Sequence, residues 1–362
     1  MDSSAITSRK TFKFAVLAAA ALALAACTPQ SSPTADPTPT QRFVTAPLTG
    51  VQYAEGSDQA NNLSRPSVAC KIDNSDAARP QLGLNRTDIV LDEMVEGGLT
   101  RFVAVWHSDQ PNAVGPVRSI RPMDPDILSP FGGIVCYSGG QTVFMNMMKA
   151  TNVFNASETS EQGQGTFSRT KDRIAPHNVI VDVAKLASNH LELPAPATQF
   201  EFAANLADSS ASKSGTEVSD IKVYFPAALA QWTPSHDASV FLRTQDTKVD
   251  TDAADGSQLH TVNVVIMTVT VDRSYKDHKY GNVPKDNVIG TGQAQVCSAG
   301  KCMNATWSKA ERMSPIKLTD ASGKSVLLAP GNTWVELQPA GPEGKTVLTQ
   351  KSTPSPTATT KG

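Results

Sequence analysis

Charged side chains are scarce in this sequence, and neither sign dominates. Only 18% of the 362 residues are Asp, Glu, Lys or Arg, and the formal net charge is −2. The first 26 residues carry three basic residues and one acidic residue, a net of +2, so the remainder carries −2 − 2 = −4. Proteins that bind nucleic acid through its phosphates need a basic surface. The composition therefore argues against a nucleic-acid partner.

Sequence motifs for catalysis and for metal binding are also missing. There is no P-loop, no H-E-x-x-H and no EF-hand pattern, and Ser138 does not lie in a G-x-S-x-G elbow. No histidine accompanies the cysteines at the spacing of zinc ligands. The sequence thus predicts neither a metal site nor a cofactor, and it favours a protein that is not an enzyme.

Long apolar runs are absent except near the N-terminus. There, three basic residues precede the run Phe14–Ala26, which is shorter than the ~20 residues that span a bilayer as a helix. The run leads into Leu24-Ala25-Ala26-Cys27, which resembles the lipobox of bacterial lipoproteins. The resemblance implies a signal peptide at residues 1–26 and a diacylated Cys27 that anchors the protein to the extracytoplasmic face of the cell membrane. The alternative is an ordinary secretory signal that ends near a cysteine.

The rest of the chain divides by composition and pattern into two domains. A proline-rich tether is followed by a mixed α/β region, and a Ser/Ala-rich segment separates that region from a series of short strands. The predicted fold class is α+β, with a mixed α/β N-terminal domain and a mainly β, sandwich-like or barrel-like C-terminal domain. The predicted boundaries are 27–47 for the lipidated cysteine and disordered tether, 48–192 for the first domain, 193–219 for the interdomain segment, 220–340 for the second domain and 341–362 for a disordered tail.

Four cysteines remain once Cys27 is assigned to lipid, an even number that suits an oxidising compartment. Cys297 and Cys302 flank a four-residue segment typical of a hairpin loop, which predicts a disulfide between them. Cys70 and Cys136 each lie in an apolar, strand-like run. They are either bridged or two buried free thiols.

The segments Asp88–Glu96 and Leu99–His107 are predicted to form a β-hairpin. A two-residue turn at Gly97-Gly98 would place Met94 opposite Arg101. Diagonal neighbours on one face of a hairpin lie within reach of a long side chain. The register therefore predicts a charge cluster of Asp92, Glu96 and Arg101.

Glu93 is the one ionisable group on the opposite face of this hairpin. Burying a lone carboxylate is costly, so it needs a partner or a raised pKa. One interpretation makes Glu93 a structural partner of a nearby cation. The other makes it a perturbed carboxylate that serves as an acid, a base or a ligand anchor.

The loop after the hairpin presents two arginines three residues apart. Arg118 and Arg121, with Ser119 between them, suit the recognition of a phosphate or a carboxylate, although the neighbouring acids are alternative partners. Polar residues that follow two other predicted strands are expected to converge on this loop. The predicted ligand-binding residues are Lys71, Asn74, Arg79, Arg118, Ser119, Arg121 and Arg173, and the candidate catalytic residues are Glu93, Asp73 and His177.

Long stretches of the chain resemble a known family. The segments CKIDNSDAARPQLGLNRTDIVLDEMVEGGLTRFVAVWHS, GPVRSIRPMD and APHN are similar to the N-terminal domain of the YerB-like bacterial lipoproteins, and VNVVIMTV, GTGQAQV and LLAPGNTWVELQP are similar to their second domain. The sequence departs from the family pattern at Phe241-Leu242-Arg243, where a tyrosine is expected before the arginine, and in its paired Cys297 and Cys302. The resemblance implies an envelope lipoprotein and brings no established activity.

A shorter stretch, TRFVAVWHSDQPNAVGPVRSIRP, is similar to the LytR-CpsA-Psr phosphotransferases. That similarity implies arginines that hold a polyprenyl pyrophosphate. Our leading hypothesis is a non-catalytic, lipid-anchored protein that binds an anionic cell-wall ligand, such as a polyprenyl phosphate, or a protein partner through the arginine loop. The alternatives are an envelope enzyme that acts on polyprenyl-phosphate or wall-glycan substrates, and a structural or assembly lipoprotein.

Overall fold

The structure is a computed structural model that describes residues 41–277 and 281–351. The predicted signal peptide, the lipidation at Cys27, most of the tether and residues 352–362 lie outside these ranges. The described residues belong to one compact unit.

The first half of the described chain alternates short strands with short helices. Its strands are β1 (Phe43–Thr45), β2 (Gln52–Ala54), β3 (Val68–Asp73), β4 (Ile89–Met94), β5 (Thr100–Trp106), β6 (Ile134–Cys136), β7 (Phe154–Ala156), β8 (Phe167–Arg169) and β9 (Val179–Val181), and its helices are α1 (Asp58–Asn62), α2 (Asp124–Leu128), α3 (Thr142–Lys149) and α4 (Val183–Ser188).

The second half is mainly β structure, as the spacing of its turn residues predicts. It begins with α5 (Ser210–Ser214) and continues with β10 (Thr216–Phe225), β11 (Ala228–Pro234), β12 (Phe241–Gln245), β13 (Lys248–Val249), β14 (His260–Thr261), β15 (Asn263–Asp277), β16 (Gly281–Asn287), β17 (Gly290–Ser298), β18 (Lys301–Lys309), β19 (Lys317–Thr319), β20 (Thr333–Pro339) and β21 (Lys345–Gln350).

One mixed sheet runs through both halves. Its central order is β7-β6-β3-β5-β4-β20-β15-β17-β18-β19, and the halves meet where β4 runs parallel to β20. This arrangement confirms the α+β class with a mainly β C-terminal part. β4 and β20 carry buried apolar residues on both faces, because each face packs against a hydrophobic cluster, although both strands also bury charged side chains.

Two segments that the sequence predicts to lie outside the domains contain regular structure. The sequence predicts a disordered tail at 341–362, but Lys345–Gln350 forms β21, which pairs with β10. The segment 193–219 was expected to be an interdomain segment, but it contains α5 and the start of β10. Backbone pairing with a neighbouring strand stabilises sequences whose composition alone resembles that of a linker.

The hairpin forms, but its predicted register is wrong by one residue. The loop comprises three residues, Glu96–Gly98, closed by a hydrogen bond from the Val95 amide to the Leu99 carbonyl. Met94 consequently pairs with Thr100, and Glu93 pairs with Arg101. A shift of one residue changes which side chains share a face. The predicted cluster of Asp92, Glu96 and Arg101 therefore does not form as a whole: Glu96 stays near Arg101, but Asp92 pairs with Arg243 instead.

Both pairs of cysteines are bridged. Cys297 and Cys302 face each other at the end of the β17–β18 hairpin, with their Cα atoms 4.1 Å apart. Cys70 and Cys136 occupy paired positions on the parallel strands β3 and β6, with their Cα atoms 4.5 Å apart. The second bridge settles the alternative that the sequence left open.

Candidate functional site

The side chain of Lys71, on β3, is completely buried. Its Nζ donates hydrogen bonds to Glu93 Oε1 and, at 2.7 Å, to Asp124 Oδ1, and none of these three side chains is exposed. Asp286, on β16, is also buried and accepts a hydrogen bond of 2.9 Å from the Met94 amide. Lys71 is thus the central cation of a buried group, which we call the Lys71 cluster: Lys71, Glu93, Asp124 and Asp286.

Two carboxyl groups of the Lys71 cluster, those of Glu93 and Asp286, have raised pKa values. Burial, reinforced by the charge of Asp124, raises the pKa of Glu93 to about 8, although Lys71 opposes the shift. Burial also raises the pKa of Asp286 to about 7. Because Glu93 and Lys71 have no exposed surface, the structure supports the interpretation of Glu93 as a structural partner of a cation. It offers neither residue to a ligand at the surface.

A second buried group joins the two halves of the chain. The Arg243 guanidinium, on β12, bonds to Asp92 Oδ2 at 3.2 Å and also bonds to Asp250. It stacks on three aromatic rings, those of Trp334, Phe102 and Trp232, at 5.0, 5.1 and 5.7 Å from their centroids. Asp92 therefore binds a cation of the second half rather than Arg101, and this contact is structural.

Asp73 forms the centre of a charge group that is both convergent and partly open to solvent. Asp73 is the last residue of β3, and its Oδ2 accepts hydrogen bonds from His177 Nδ1 at 2.6 Å and lies 2.9 Å from Arg118 Nε. Its Oδ1 accepts a bond from the Ser75 amide at 3.1 Å. The side chains of Arg118 and His177 are 22% and 23% exposed, so solvent reaches both cations.

Cations outnumber anions around Asp73. Arg101 lies directly opposite Asp73 on the neighbouring strand β5 and donates a bond of 2.7 Å from Nη1 to the Ser119 carbonyl. Arg121 forms an ion pair of 2.8 Å with Glu96. We call this group the Asp73 cluster: Asp73, Glu96, Arg101, Arg118, Arg121 and His177. Its three arginines face two carboxylates, which leaves a surplus of positive charge.

The pKa values reflect this surplus. Burial would raise the pKa of Asp73, but the charge of Arg101, the hydrogen bond from the Ser75 amide, the charge of Arg118 and the bond from His177 together hold that pKa below its ordinary value. Burial, together with the like charges of Arg121 and Arg118, lowers the pKa of Arg101 to about 10 despite the opposing charge of Asp73. An anion placed here would relieve repulsion among the guanidinium groups.

The remaining residues predicted to bind a ligand are engaged elsewhere. Asn74 is buried and donates to Thr100 Oγ1 at 2.8 Å, and Arg79 pairs with Asp76 and, at 3.4 Å, with Asp246. Ser119 Oγ donates to the Ser138 carbonyl at 3.3 Å, and Arg173 donates to the carbonyls of Ala78 and Pro80. Of the predicted set, the structure brings together Asp73, Arg118 and His177, with Ser119 and Arg121 beside them.

Sequence reasoning missed the role of Arg101 at this site and the role of Arg243 in the core. The hairpin alone predicts Asp92 and Glu96 as neighbours of Arg101, and it does not show that β3 pairs with β5 so that Asp73 lies opposite Arg101. The position of Arg243 could have indicated its role. Arg243 faces inward on its strand, and the residues two before and two after it are also buried. A charge at such a position predicts a buried counter-ion.

Within the described ranges, no group of three or more His, Cys, Asp or Glu side chains is placed to hold a metal ion. No helix among the same residues is long and apolar enough to cross a bilayer.

The chain was compared with known proteins and families. Residues 48–194 match the N-terminal domain, and residues 221–335 the C-terminal domain, of a family described as protein of unknown function (DUF3048). The chain is 26% identical over 307 residues to a protein named "Putative lipoprotein YerB" of Bacillus subtilis (strain 168), an alignment that covers 83% of this chain and 88% of that protein.

The crystal structure of the YerB protein from Bacillus subtilis has the same fold. It superposes with a TM-score of 0.71 at 22% identity and covers 84% of this chain and 99% of that chain. Domain matches, a curated relative and a solved fold agree over most of the sequence. The chain belongs to the DUF3048 family, with its N-terminal and C-terminal domains in the order that the family defines.

Proposed function

We propose that this protein is a lipid-anchored, extracytoplasmic lipoprotein whose N-terminal half binds an anionic ligand of the cell envelope at the Asp73 cluster. The ligand class is a phosphate or a carboxylate. The observation that carries the proposal is the convergence of three arginines and a histidine on two carboxylates at a partly exposed strand end.

Unused hydrogen-bond donors support a ligand at this position. The Arg118 guanidinium contacts Asp73 through Nε, and its two Nη atoms donate no hydrogen bond to any described residue. His177 uses Nδ1 for Asp73 and Ser75, while its Nε2 has no partner in the described part of the chain. A planar guanidinium with free Nη groups is suited to bidentate binding of a phosphate or carboxylate.

The membrane anchor rests on the sequence and on the relative. The lipobox-like Leu24-Ala25-Ala26-Cys27 precedes a proline-rich segment, and the matched Bacillus subtilis protein is named a lipoprotein. Acyl chains on Cys27 would hold the protein at the membrane, and a proline-rich tether would let the Asp73 cluster reach ligands above it.

A structural or assembly role is the second candidate, and it also has a specific observation in its favour. Arg121 pairs with Glu96, Arg79 pairs with Asp76 and Arg173 binds two backbone carbonyls. Arg118 and His177, by contrast, keep donors that bond to no described residue. The two candidates therefore differ in what the removal of Arg118 should do.

The test is the binding of inorganic pyrophosphate to the full-length protein in detergent. Binding is measured as the shift in melting temperature. A ligand that binds only the folded state raises the melting temperature in proportion to its occupancy. We expect millimolar pyrophosphate to stabilise the wild type and to have no effect on Arg118→Ala. The matched control is Arg169→Ala, since Arg169 is an exposed arginine of the same half that pairs with Glu158.

Sodium sulfate and sodium succinate at equal ionic strength separate specific phosphate or carboxylate binding from general salt effects. The proposal is wrong if neither pyrophosphate nor succinate stabilises the wild type beyond Arg118→Ala. In that case the assembly role is favoured.

A further inference from the structure

A groove in the second half of the chain is lined by neutral polar side chains. It has a volume of about 470 Å³ and lies on the sheet formed by β15, β17 and β18, with β21 and the turn after β19 at its sides. A second groove of about 560 Å³ continues from it, because both share Asn304 and Ala321. We call the first of these the amide groove. Its polar lining consists of Thr268, Gln293, Gln295, Asn304, Thr306, Gln338 and Thr346.

Strand register places these side chains in rows. Gln295 on β17 lies opposite Asn304 on β18, and Gln293 lies opposite Thr306. Residues two apart on a strand point to the same face and are separated by about 6.6 Å. The strands therefore present a regular array of amide and hydroxyl groups, which resembles a surface built for repeated hydrogen bonds along an extended ligand.

Most of these side chains have no hydrogen-bond partner within the described part of the protein. The side chains of Gln293, Gln295, Asn304, Thr306 and Thr346 make no hydrogen bond to another described residue, whereas Thr268 and Gln338 bond to each other at 3.2 Å. Gln295 Oε1 and Thr346 Oγ1 are also buried from solvent without a partner. Leaving a buried polar atom unpaired costs free energy, so such atoms call for an explanation. The side chains of Gln293, Asn304 and Thr306 are exposed, so their amide and hydroxyl groups are free to hydrogen-bond to a ligand in the groove.

The chemistry of the lining selects the class of ligand. Among the described residues, no charged side chain lines the amide groove, and the one that lines the adjoining groove, Asp320, already accepts bonds from Ser322 and Lys324. Amides and hydroxyls both donate and accept, so they complement a ligand that does the same. An anionic ligand would find no counter-charge here.

The backbone excludes strand addition over the central strands. β17 is paired with β15 on one side and β18 on the other, and β15 is paired with β17 and β20. A peptide that binds as an added strand needs an unpaired edge. A ligand above these strands must therefore be recognised by side chains, through neutral hydrogen bonds.

We propose that the amide groove binds a neutral, hydroxyl-rich polymer, namely a glycan chain. The site is separate from the Asp73 cluster, which belongs to the first half, and it takes a ligand of different charge. This proposal does not depend on anion binding at the Asp73 cluster. An experiment can contradict either of the two proposals without affecting the other.

The test is fluorescence anisotropy of labelled neutral tetrasaccharides added to the full-length protein in detergent. The probes are the β-1,4-linked tetramers of N-acetylglucosamine and of glucose, and the α-1,4-linked tetramer of glucose. We expect at least one to bind, and we expect the double variant Gln295→Ala, Asn304→Ala to bind it about tenfold more weakly or less well still, because two hydrogen bonds are lost. Neither side chain hydrogen-bonds to a described residue, so the variant should keep the melting temperature of the wild type.

Two controls sharpen the result. Gln162→Ala removes an exposed glutamine of the other half and should leave glycan binding unchanged, as should Arg118→Ala. A labelled threonine-rich decapeptide tests the other kind of polymer. The inference is overturned if no tetrasaccharide binds, if the double variant binds as the wild type does, or if the peptide binds the groove and the glycans do not.

Discussion

Lys71 and Asp73 lie two residues apart on one face of β3, yet they belong to opposite kinds of site. Lys71 is mid-strand and has no exposed surface, and its ammonium is held by the carboxylates of Glu93 and Asp124. Asp73 ends the strand, and its partners Arg118 and His177 are partly exposed. In the first site anions exceed cations, and in the second cations exceed anions.

The difference shows how position along a strand decides the role of an ion pair. Where neighbouring strands and α2 enclose Lys71, each charge must be compensated inside the protein, and a protonated Glu93 is one way to do so. At the strand end, solvent stabilises a surplus charge, so donors can stay unpaired and available. Similar residue types therefore make a structural contact in one place and a candidate binding site in the other.

The largest effect should come from removing the central cation of the buried site. Lys71→Met leaves Glu93, Asp124 and Asp286 buried without their cation, so we expect the free energy of unfolding to fall by about 3–5 kcal/mol. Urea unfolding of the two proteins at pH 7 measures the loss. Lys213→Met, which removes an exposed lysine paired with Asp208, should change it by less than about 0.5 kcal/mol. Equal, small losses in both variants would mean that burial is not what distinguishes the two sites.

The pH dependence of stability provides a smaller and more specific signal. The folded-state pKa of Glu93 is about 8, well above its ordinary value of 4.5. The contribution of Glu93 to the free energy of unfolding is therefore fully present below pH 4.5 and is lost as the pH rises through 8. We therefore expect the wild-type free energy of unfolding to decline between pH 5 and pH 8.

Glu93→Gln cannot ionise, so its free energy of unfolding should decline less steeply over the same range. Asp286, whose pKa is raised to about 7, should retain part of the slope in the variant. Urea unfolding at intervals of half a pH unit measures both curves. Parallel curves would show that Glu93 is charged throughout and that the cluster is a simple set of ion pairs.

The smallest effect on stability should come from the partly exposed site. Arg118→Ala removes one of several cations near Asp73, and Arg101 and His177 remain, so we expect a loss of about 1 kcal/mol or less. Arg169→Ala should behave similarly, because its ion pair with Glu158 is also exposed. A loss near that of Lys71→Met would place Arg118 among the structural cations and would weaken the contrast between the two sites.

The hairpin of β4 and β5 shows which features of the fold the sequence predicts and which it does not. Alternating and apolar runs correctly predict β4 and β5, and the glycine pair predicts the turn between them. The loop contains three residues rather than two, because Glu96 joins the glycines in a tight turn. Propensity does not distinguish these turns well, and the one-residue shift pairs Arg101 with Glu93 instead of Met94.

The sequence by itself determined the family, the order of an α/β half before a β half, the oxidised pair Cys297 and Cys302, and the arginine loop, because these depend on local patterns and short spacings. Only the tertiary structure decided which charges meet. Asp92 with Arg243 and Lys71 with Asp124 are pairs of residues far apart in the chain, joined where β4 meets β20 and where α2 covers β3. Which ions are buried, and hence which donors are left for a ligand, depends on that packing.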